Sequence, residues 1–88
     1  MADDYVPIDC NLHDYIEIAC IKGYLLRLEL SDGSVLQAVA NSTETLADKT
    51  EWLILLDGEV KHTLRLDKIC AFTPLAENAD FGRIVLRD

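Results

Sequence analysis

The fold is decided in residues 11–40, which are NLHDYIEIACIKGYLLRLELSDGSVLQAVA and change from a helical to a strand period at Gly23. Asp9 or Asn11 can cap a helix at its N-terminal end, and Gly23 can end it in the left-handed conformation. This spacing predicts a helix over residues 10–21. Its apolar side chains recur three or four residues apart on one face: Leu12, Tyr15, Ile16, Ala19 and Cys20.

After Gly23 the apolar residues alternate with a period of two, which is typical of a half-buried strand. Leu26, Leu28 and Leu30 lie on one face of this segment. The dipeptide Asp32-Gly33 follows, and Asp-Gly favours the positive φ angles of a tight hairpin turn. The sequence therefore predicts two paired strands over residues 24–31 and 34–40.

The remainder of the chain is typical of short strands joined by turns. Residues 41–50 are polar and are predicted as a loop, whereas Trp52 to Leu56 form a nearly continuous apolar run. A second Asp-Gly, at Asp57-Gly58, predicts another hairpin. Residues 1–8 are expected to form an extended arm. The further predicted strands lie at 51–57, 59–66, 69–73 and 82–87.

These elements predict a single domain over residues 1–88 that is mainly β with one N-terminal α-helix. A helix followed by five or six short strands favours a small, bent β-sheet or barrel capped by the helix. That outline is Sm-like, and an OB-like barrel is the alternative that periodicity leaves open.

The net charge of the chain limits the kinds of partner that we expect it to bind. Sixteen acidic and eight basic residues give a formal net charge of −8, which repels nucleic-acid phosphates and favours a basic partner. The first twenty residues contain five carboxylates and no Lys or Arg. There is no apolar run long enough to span a membrane and no leader-like segment, so we expect a cytoplasmic protein.

The sequence contains few residues and motifs that could support catalysis. Only His13 and His62 are available as bases, and no nucleophile, phosphate-loop or metalloprotease motif is present. We therefore expect no enzymatic activity and no cofactor. The three cysteines, Cys10, Cys20 and Cys70, could contribute to a zinc site with His13, but their wide spacing favours reduced thiols and no metal.

A weak basic segment lies near the centre of the chain. Lys61 and Arg65 share one strand face, with Lys68 and Phe72 close by, which is the kind of pattern that can bind single-stranded nucleic acid. We expect these cations to balance neighbouring carboxylates such as Asp67, because the whole molecule is negative.

Several motifs resemble those of the Rho-binding antiterminator (Rof) family. They occur in family order over residues 5–70: Tyr5, Pro7-Ile8, Cys10, Asp14, Glu17, Ala19-Cys20, Leu28-Glu29-Leu30, Asp32-Gly33, Leu36-Gln37-Ala38, Ala40, Glu51-Trp52-Leu53 and Leu64 to Ile69. The chain departs from the family pattern at Leu12, His13 and Trp52 and in the 41–50 loop.

The resemblance implies an Sm-like fold and a protein partner, the hexameric helicase Rho. Proteins similar to this one cover the primary RNA-binding sites of Rho, block RNA loading and so inhibit Rho-dependent transcription termination. The expected protein is a monomer that binds no nucleic acid directly. An Sm-like RNA-binding or RNA-regulatory module is the alternative function. The expected contacts to Rho are Asp14 and Glu17, surrounded by Asp9, Asn11, His13 and Ile18, with Asp48, Lys49 and Thr50 as a second contact.

Overall fold

A computed structural model describes residues 8–86 of the chain. The expected arm over residues 1–8 lies outside the described residues except for Ile8. The elements, in chain order, are α1 (Cys10–Lys22), β1 (Leu25–Leu30), β2 (Val35–Thr45), β3 (Glu51–Asp57), β4 (Val60–Arg65), a 3₁₀ turn (Leu66–Lys68), β5 (Ile69–Pro74) and β6 (Ile84–Val85).

Helix α1 has a defined cap at each end. The Asp9 carboxylate accepts a hydrogen bond of 2.8 Å from the Asn11 backbone N–H, which satisfies one of the donors left unpaired in the first turn. Gly23 adopts a left-handed φ of 66°, and the following Tyr24 N–H donates to the Ala19 carbonyl at 3.0 Å. These caps hold the helix between residues 10 and 22, one residue longer than predicted.

The first hairpin has a wider turn than the Asp-Gly dipeptide predicted. The Leu30 N–H donates to the Ser34 carbonyl at 2.9 Å, so the loop contains three residues and not two. Gly33 has a φ of 89°, whereas Asp32 is not among the described non-glycine residues with positive φ. The Asp32 carboxylate instead accepts bonds from the Ser34 N–H and hydroxyl at 2.9 and 2.6 Å. This side-chain turn explains why only the glycine takes the left-handed conformation.

Strand β2 extends five residues beyond its predicted end, and the predicted loop over residues 41–50 is wrong for Asn41 to Thr45. A bulge between Ala40 and Ser42 shifts the register, after which Thr43 pairs with Leu53. The polar composition of this segment gave no sign of a strand. Its backbone pairs with β3, although few of its side chains enter the core. The turn proper closes with a bond from Leu46 N–H to the Thr50 carbonyl.

The six strands form one antiparallel sheet in the order β4-β3-β2-β1-β5-β6. The prediction of a mainly β chain with one N-terminal helix is confirmed. No strand pairing joins β4 to β6 within residues 8–86, so the described sheet is open and not a closed barrel. Its core includes side chains from α1, β1, β2, β3, the 3₁₀ turn and β5: Ile16, Ala19, Leu26, Leu28, Ala38, Ala40, Leu53, Leu55, Leu66, Ile69 and Phe72.

The last predicted strand, over residues 82–87, is much shorter among the described residues. Only Ile84 and Val85 pair, with Phe72 and Ala71 respectively. The segment before them packs against the core instead, because Phe81 contacts Tyr15 edge-on at a centroid distance of 5.1 Å. Phe81 also contacts Tyr24 and Phe72 at 6.0 Å each. This aromatic cluster fixes the C-terminal segment beneath α1.

None of the helices in residues 8–86 has the length and apolar composition needed to cross a membrane.

Candidate functional site: an acidic surface on the N-terminal helix

The exposed side of α1 carries the two carboxylates that the sequence placed there. Asp14 and Glu17 are three residues apart, so they lie next to each other on the helix surface, and both residues are exposed. Asp9 and Asn11 stand one turn earlier and are exposed as well. Asp14 and Glu17 therefore form an exposed acidic strip on the helix, and Asp9 lies at its N-cap.

His13 connects this strip to the sheet. Its Nδ1 atom lies 3.2 Å from Glu17 Oε2, and its Nε2 atom lies 3.2 Å from Oε2 of Glu51 at the start of β3. The Nε2 atom is buried and the Glu51 oxygen is not aligned for a hydrogen bond, so this second contact is chiefly electrostatic. The His13 side chain is only 20% exposed. Helix spacing alone would place His13 on the outer side of α1 beside Asp14 and Glu17, but its side chain points toward Glu51 of β3.

A concave surface of about 330 Å³ forms where α1 meets the first residue of β3. It contains three carboxylates, and none of the Lys or Arg residues between positions 8 and 86 lines it. A concave negative surface concentrates electrostatic potential and attracts cationic groups. Its lining residues are Ile8, Cys10, His13, Asp14, Glu17 and Glu51.

Ile18 occupies a different position from the other expected contact residues on α1. It is partly buried and packs against the core, beside Ile16 and Ala19. Only the edge of its side chain is available to a partner.

The Asp48 to Thr50 turn is held by internal hydrogen bonds. The Asp48 carboxylate accepts from the Thr50 hydroxyl at 2.6 Å and from the Thr50 N–H at 3.1 Å. The bond from the Thr50 hydroxyl is the main reason that the pKa of Asp48 is lowered from its ordinary value. Thr50 is itself buried and its hydroxyl oxygen accepts from Trp52 Nε1 at 2.8 Å. Lys49, with a φ of 70°, is exposed at the tip.

Glu51 is the site residue that sequence reasoning missed. It directly follows the Asp48 to Thr50 turn, so it joins that turn to the acidic surface through His13. No local pattern could have revealed this, because His13 and Glu51 are 38 positions apart (51 − 13). Their proximity depends on how α1 packs on the sheet.

Metal-binding side chains and the partly buried thiol of Cys20 were the remaining groups of chemical interest. No group of three or more His, Cys, Asp or Glu side chains within residues 8–86 is arranged to hold a metal ion. Burial, followed by the nearby charge of Glu17, raises the pKa of the Cys20 thiol to about 11. A thiol with so high a pKa is a weak nucleophile near neutral pH.

The basic segment is partly neutralised, as expected. Arg65 donates from Nε and Nη2 to the two oxygens of Asp67 at 2.6 and 2.9 Å. Asp67 is buried, and the structural role that the sequence suggested for it includes this ion pair.

Comparison with known proteins identifies the family. The family model described as "Modulator of Rho-dependent transcription termination (ROF)" matches residues 7–86. The chain belongs to the ROF family. This confirms the resemblance found in the sequence, and it places the protein among modulators of Rho-dependent transcription termination.

Relatives of known sequence and structure agree with this assignment. The ROF chain is 35% identical over 88 residues to "Protein rof" of Escherichia coli (strain K12), covering 100% of this chain and 99% of that protein. The figures are the same for "Protein rof" of Shigella flexneri. A solved structure titled "YaeO bound to Magnesium from Vibrio cholerae O395" is similar with a TM-score of 0.76 and 30% identity. That likeness covers 84% of this chain and 96% of the other.

Proposed function

We propose that this ROF protein inhibits Rho-dependent termination by binding Rho through the acidic surface of α1 and so blocking RNA access to the primary RNA-binding site. The observation that carries the proposal is the concave surface between α1 and β3, where three carboxylates converge with no lysine or arginine from the described part of the chain. A surface that holds RNA phosphates is basic, and a negative surface of matching shape can compete for it.

Asp14 and Glu17 make the central contacts in this proposal. Both are exposed, and the Glu17 carboxylate lies 3.2 Å from His13 Nδ1, a contact that restricts its orientation before a cation arrives. Preorganised charges lose less conformational entropy on binding. Asp9, Asn11 and the exposed edge of Ile18 surround them, and Glu51 adds a third carboxylate from the sheet.

The Asp48 to Thr50 turn is the proposed second contact. Its exposed Lys49 and the ionised Asp48 carboxylate are the groups that can reach a partner, because the Thr50 side chain is buried and used internally. The internal bonds keep the turn rigid, which suits a recognition loop.

In this proposal the ROF protein acts as a monomer in the cytoplasm, where Rho works on nascent transcripts. It acts by occupying a surface and not by catalysing a reaction, and it does not bind nucleic acid itself. The net charge of −8 supports the last point, since phosphate backbones are repelled.

The test is a competition experiment with Rho. The purified ROF protein is mixed with Rho hexamers, complex formation is followed by gel filtration and calorimetry, and the titration is repeated after Rho is saturated with a pyrimidine-rich RNA. We expect binding that this RNA suppresses and that weakens as salt rises. Binding that is unaffected by the RNA would place the contact elsewhere on Rho.

A second titration addresses the alternative of an RNA-binding module. The isolated ROF protein is titrated with the same RNA in the absence of Rho. Tight, salt-sensitive binding in that experiment, together with no binding to Rho at tens of micromolar (about −6 kcal/mol), would replace the proposal by the RNA-binding alternative.

A further inference from the structure

Strand β4 is one of the two edges of the sheet within residues 8–86, and the two-residue β6 is the other. Asp57 pairs with Val60 across a two-residue turn that contains Gly58, at a φ of 63°. Hydrogen bonding alternates along an antiparallel pair, so Val60, His62 and Leu64 bond to β3. The backbone groups of Lys61 and Thr63 therefore point away from the sheet and are available to another strand.

A shallow groove runs beside this edge on the face of the sheet opposite the core. It has a volume of about 260 Å³. Trp52 and Ile54 form its apolar floor, and Lys61 and Thr63 lie next to them in register, since Ile54 pairs with Thr63 and Leu56 with Lys61. The indole is held in place by its bond to Thr50. The lining residues are Glu44, Leu46, Trp52, Ile54, Lys61 and Thr63.

The charge of the edge contrasts with the rest of the molecule. Residues 60–65 include Lys61, His62 and Arg65 and no carboxylate, in a chain whose net charge is −8. Arg65 is paired with Asp67, but Lys61 is exposed and forms no ion pair within the described residues. Glu44 lies two strands inward on β2, about 10 Å from the edge at ordinary strand spacing. An incoming strand would therefore meet the Lys61 ammonium first.

We propose that this edge and groove bind an extended polypeptide segment that carries carboxylates, by adding it to the sheet as a seventh strand. Main-chain bonds to Lys61 and Thr63 would supply the affinity. An acidic side chain opposite Lys61 and an apolar side chain over Trp52 and Ile54 would supply the selectivity. This site is distinct from the acidic surface of α1 and does not depend on the proposed binding to Rho.

A second copy of the chain is a poor occupant of the same edge. When two β4 strands pair about a two-fold axis, residues on one face oppose each other. Lys61 would then face Lys61, Thr63 or Arg65 of the other copy, which makes cations direct or diagonal neighbours. Like charges at such positions destabilise strand pairing, whereas a carboxylate there stabilises it.

The probe is the peptide acetyl-Glu-Thr-Val-Thr-Glu-Thr-Val-amide, and its matched control has Lys in place of both Glu. Binding is followed by ¹⁵N NMR shifts of the β4 amides and by the fluorescence of Trp52, the only tryptophan of the chain. We expect the acidic peptide to shift the Lys61 and Thr63 amides and to alter the Trp52 emission, and the lysine peptide to do neither. N-methylation of the Glu and Val nitrogens should abolish the effect, but N-methylation of the Thr nitrogens should not.

The charge requirement is tested with Lys61→Glu, and Lys22→Glu at the end of α1 is the control of equal charge change. Lys61→Glu should weaken the acidic peptide about fivefold, because an opposite-charge neighbour becomes a like-charge one. Lys22→Glu should leave the affinity unchanged. Equal binding of the two peptides, an absence of amide shifts at millimolar peptide, or stronger shifts of the same amides by single-stranded RNA would overturn the proposal.

Discussion

The Nε2 atom of His13 lies 3.2 Å from Oε2 of Glu51, so the first turn of α1 is joined to the first residue of β3. The same imidazole contacts Glu17 through Nδ1 at 3.2 Å. One histidine therefore brings a helix carboxylate and a sheet carboxylate to a single surface. In the proposed complex with Rho, this arrangement makes the negative surface a property of the tertiary fold and not of α1 alone.

The first prediction concerns the central carboxylates of α1. Replacing both Asp14 and Glu17 by Lys should abolish detectable binding to Rho, because truncating a charge pair that becomes buried on binding already costs about 2–5 kcal/mol. The fold should persist, since both positions are exposed and lysine is a good helix former. Calorimetric titration with Rho measures the binding, and thermal unfolding measures the stability.

The matched control is the double change Asp57→Lys and Glu59→Lys. These residues are exposed near the β3–β4 turn, and the change in net charge is the same. The control should retain most of the affinity for Rho. Equal losses in the two double variants would mean that net charge alone governs binding, and the model of a specific acidic surface would then fail.

The second prediction concerns the contact between α1 and β3. His13→Gln should lower the affinity for Rho several-fold, because the Glu17 side chain is no longer held in one orientation and must be ordered on binding. The free energy of unfolding should fall by less than about 1 kcal/mol, as is usual for ion pairs near the surface. Glu51→Gln should have a similar effect on binding.

A double-mutant cycle separates this role from independent contacts. If His13 and Glu51 act together, the double variant should bind Rho about as well as either single variant. Fully additive losses of binding free energy would show that each residue contacts Rho by itself.

The elements with a clear local period were the easiest to predict. The helix caps at Asp9 and Gly23 and the alternation of Leu26 and Leu28 are local signals, and the structure uses each of them as the spacing indicated. The Asp32-Gly33 turn was predicted in the right place with the wrong length, because the Asp32 carboxylate bonds to Ser34 instead of leaving Asp32 in the left-handed conformation.

Features that depend on distant neighbours were missed. The extension of β2 through Thr45 has no apolar alternation, and only its pairing with β3 makes it a strand. The sequence predicted only part of the candidate site, because the rest depends on contacts between distant residues. Asp14 and Glu17 follow from helix spacing, whereas Glu51 joins them only because His13 points toward the sheet.

The third prediction compares two bidentate ion pairs that differ in burial. Asp67 and Arg65 are 4% and 12% exposed, whereas Glu29 and Arg83 are 27% and 54% exposed. Asp67→Ala should cost about 3 kcal/mol, because it removes the carboxylate that pairs in bidentate geometry with a mostly buried guanidinium. Glu29→Ala should cost much less, because water solvates Arg83 when the pair is broken.

Denaturant unfolding of the two variants under the same conditions measures the difference. The Glu29 pair has donor–acceptor distances of 2.8 and 2.9 Å, so the comparison holds the bidentate geometry nearly constant. If Asp67→Ala were no more destabilising than Glu29→Ala, burial would not be what makes the Arg65–Asp67 pair important, and the structural role assigned to Asp67 would be wrong.

The last prediction concerns the thiol of Cys20, whose pKa is raised to about 11 by burial and by the charge of Glu17. At pH 8 only about one thiol in a thousand is then ionised, and the thiolate is the reactive form. Cys10 is exposed. An aromatic disulfide reagent should therefore modify Cys10 at least about 100-fold faster than Cys20, as measured on the double variants Cys20→Ser/Cys70→Ser and Cys10→Ser/Cys70→Ser, which each keep one thiol.

The same shift gives the sign of a pH effect on folding. Because the folded state holds the Cys20 proton more tightly than the unfolded state, the stability is complete below the unfolded pKa of about 8.5 and is lost as pH rises toward 11. Cys20→Ala should flatten the stability profile in this interval. In strong denaturant all three thiols should react at similar rates, and fast modification of Cys20 in the folded protein at pH 8 would contradict its burial against the core.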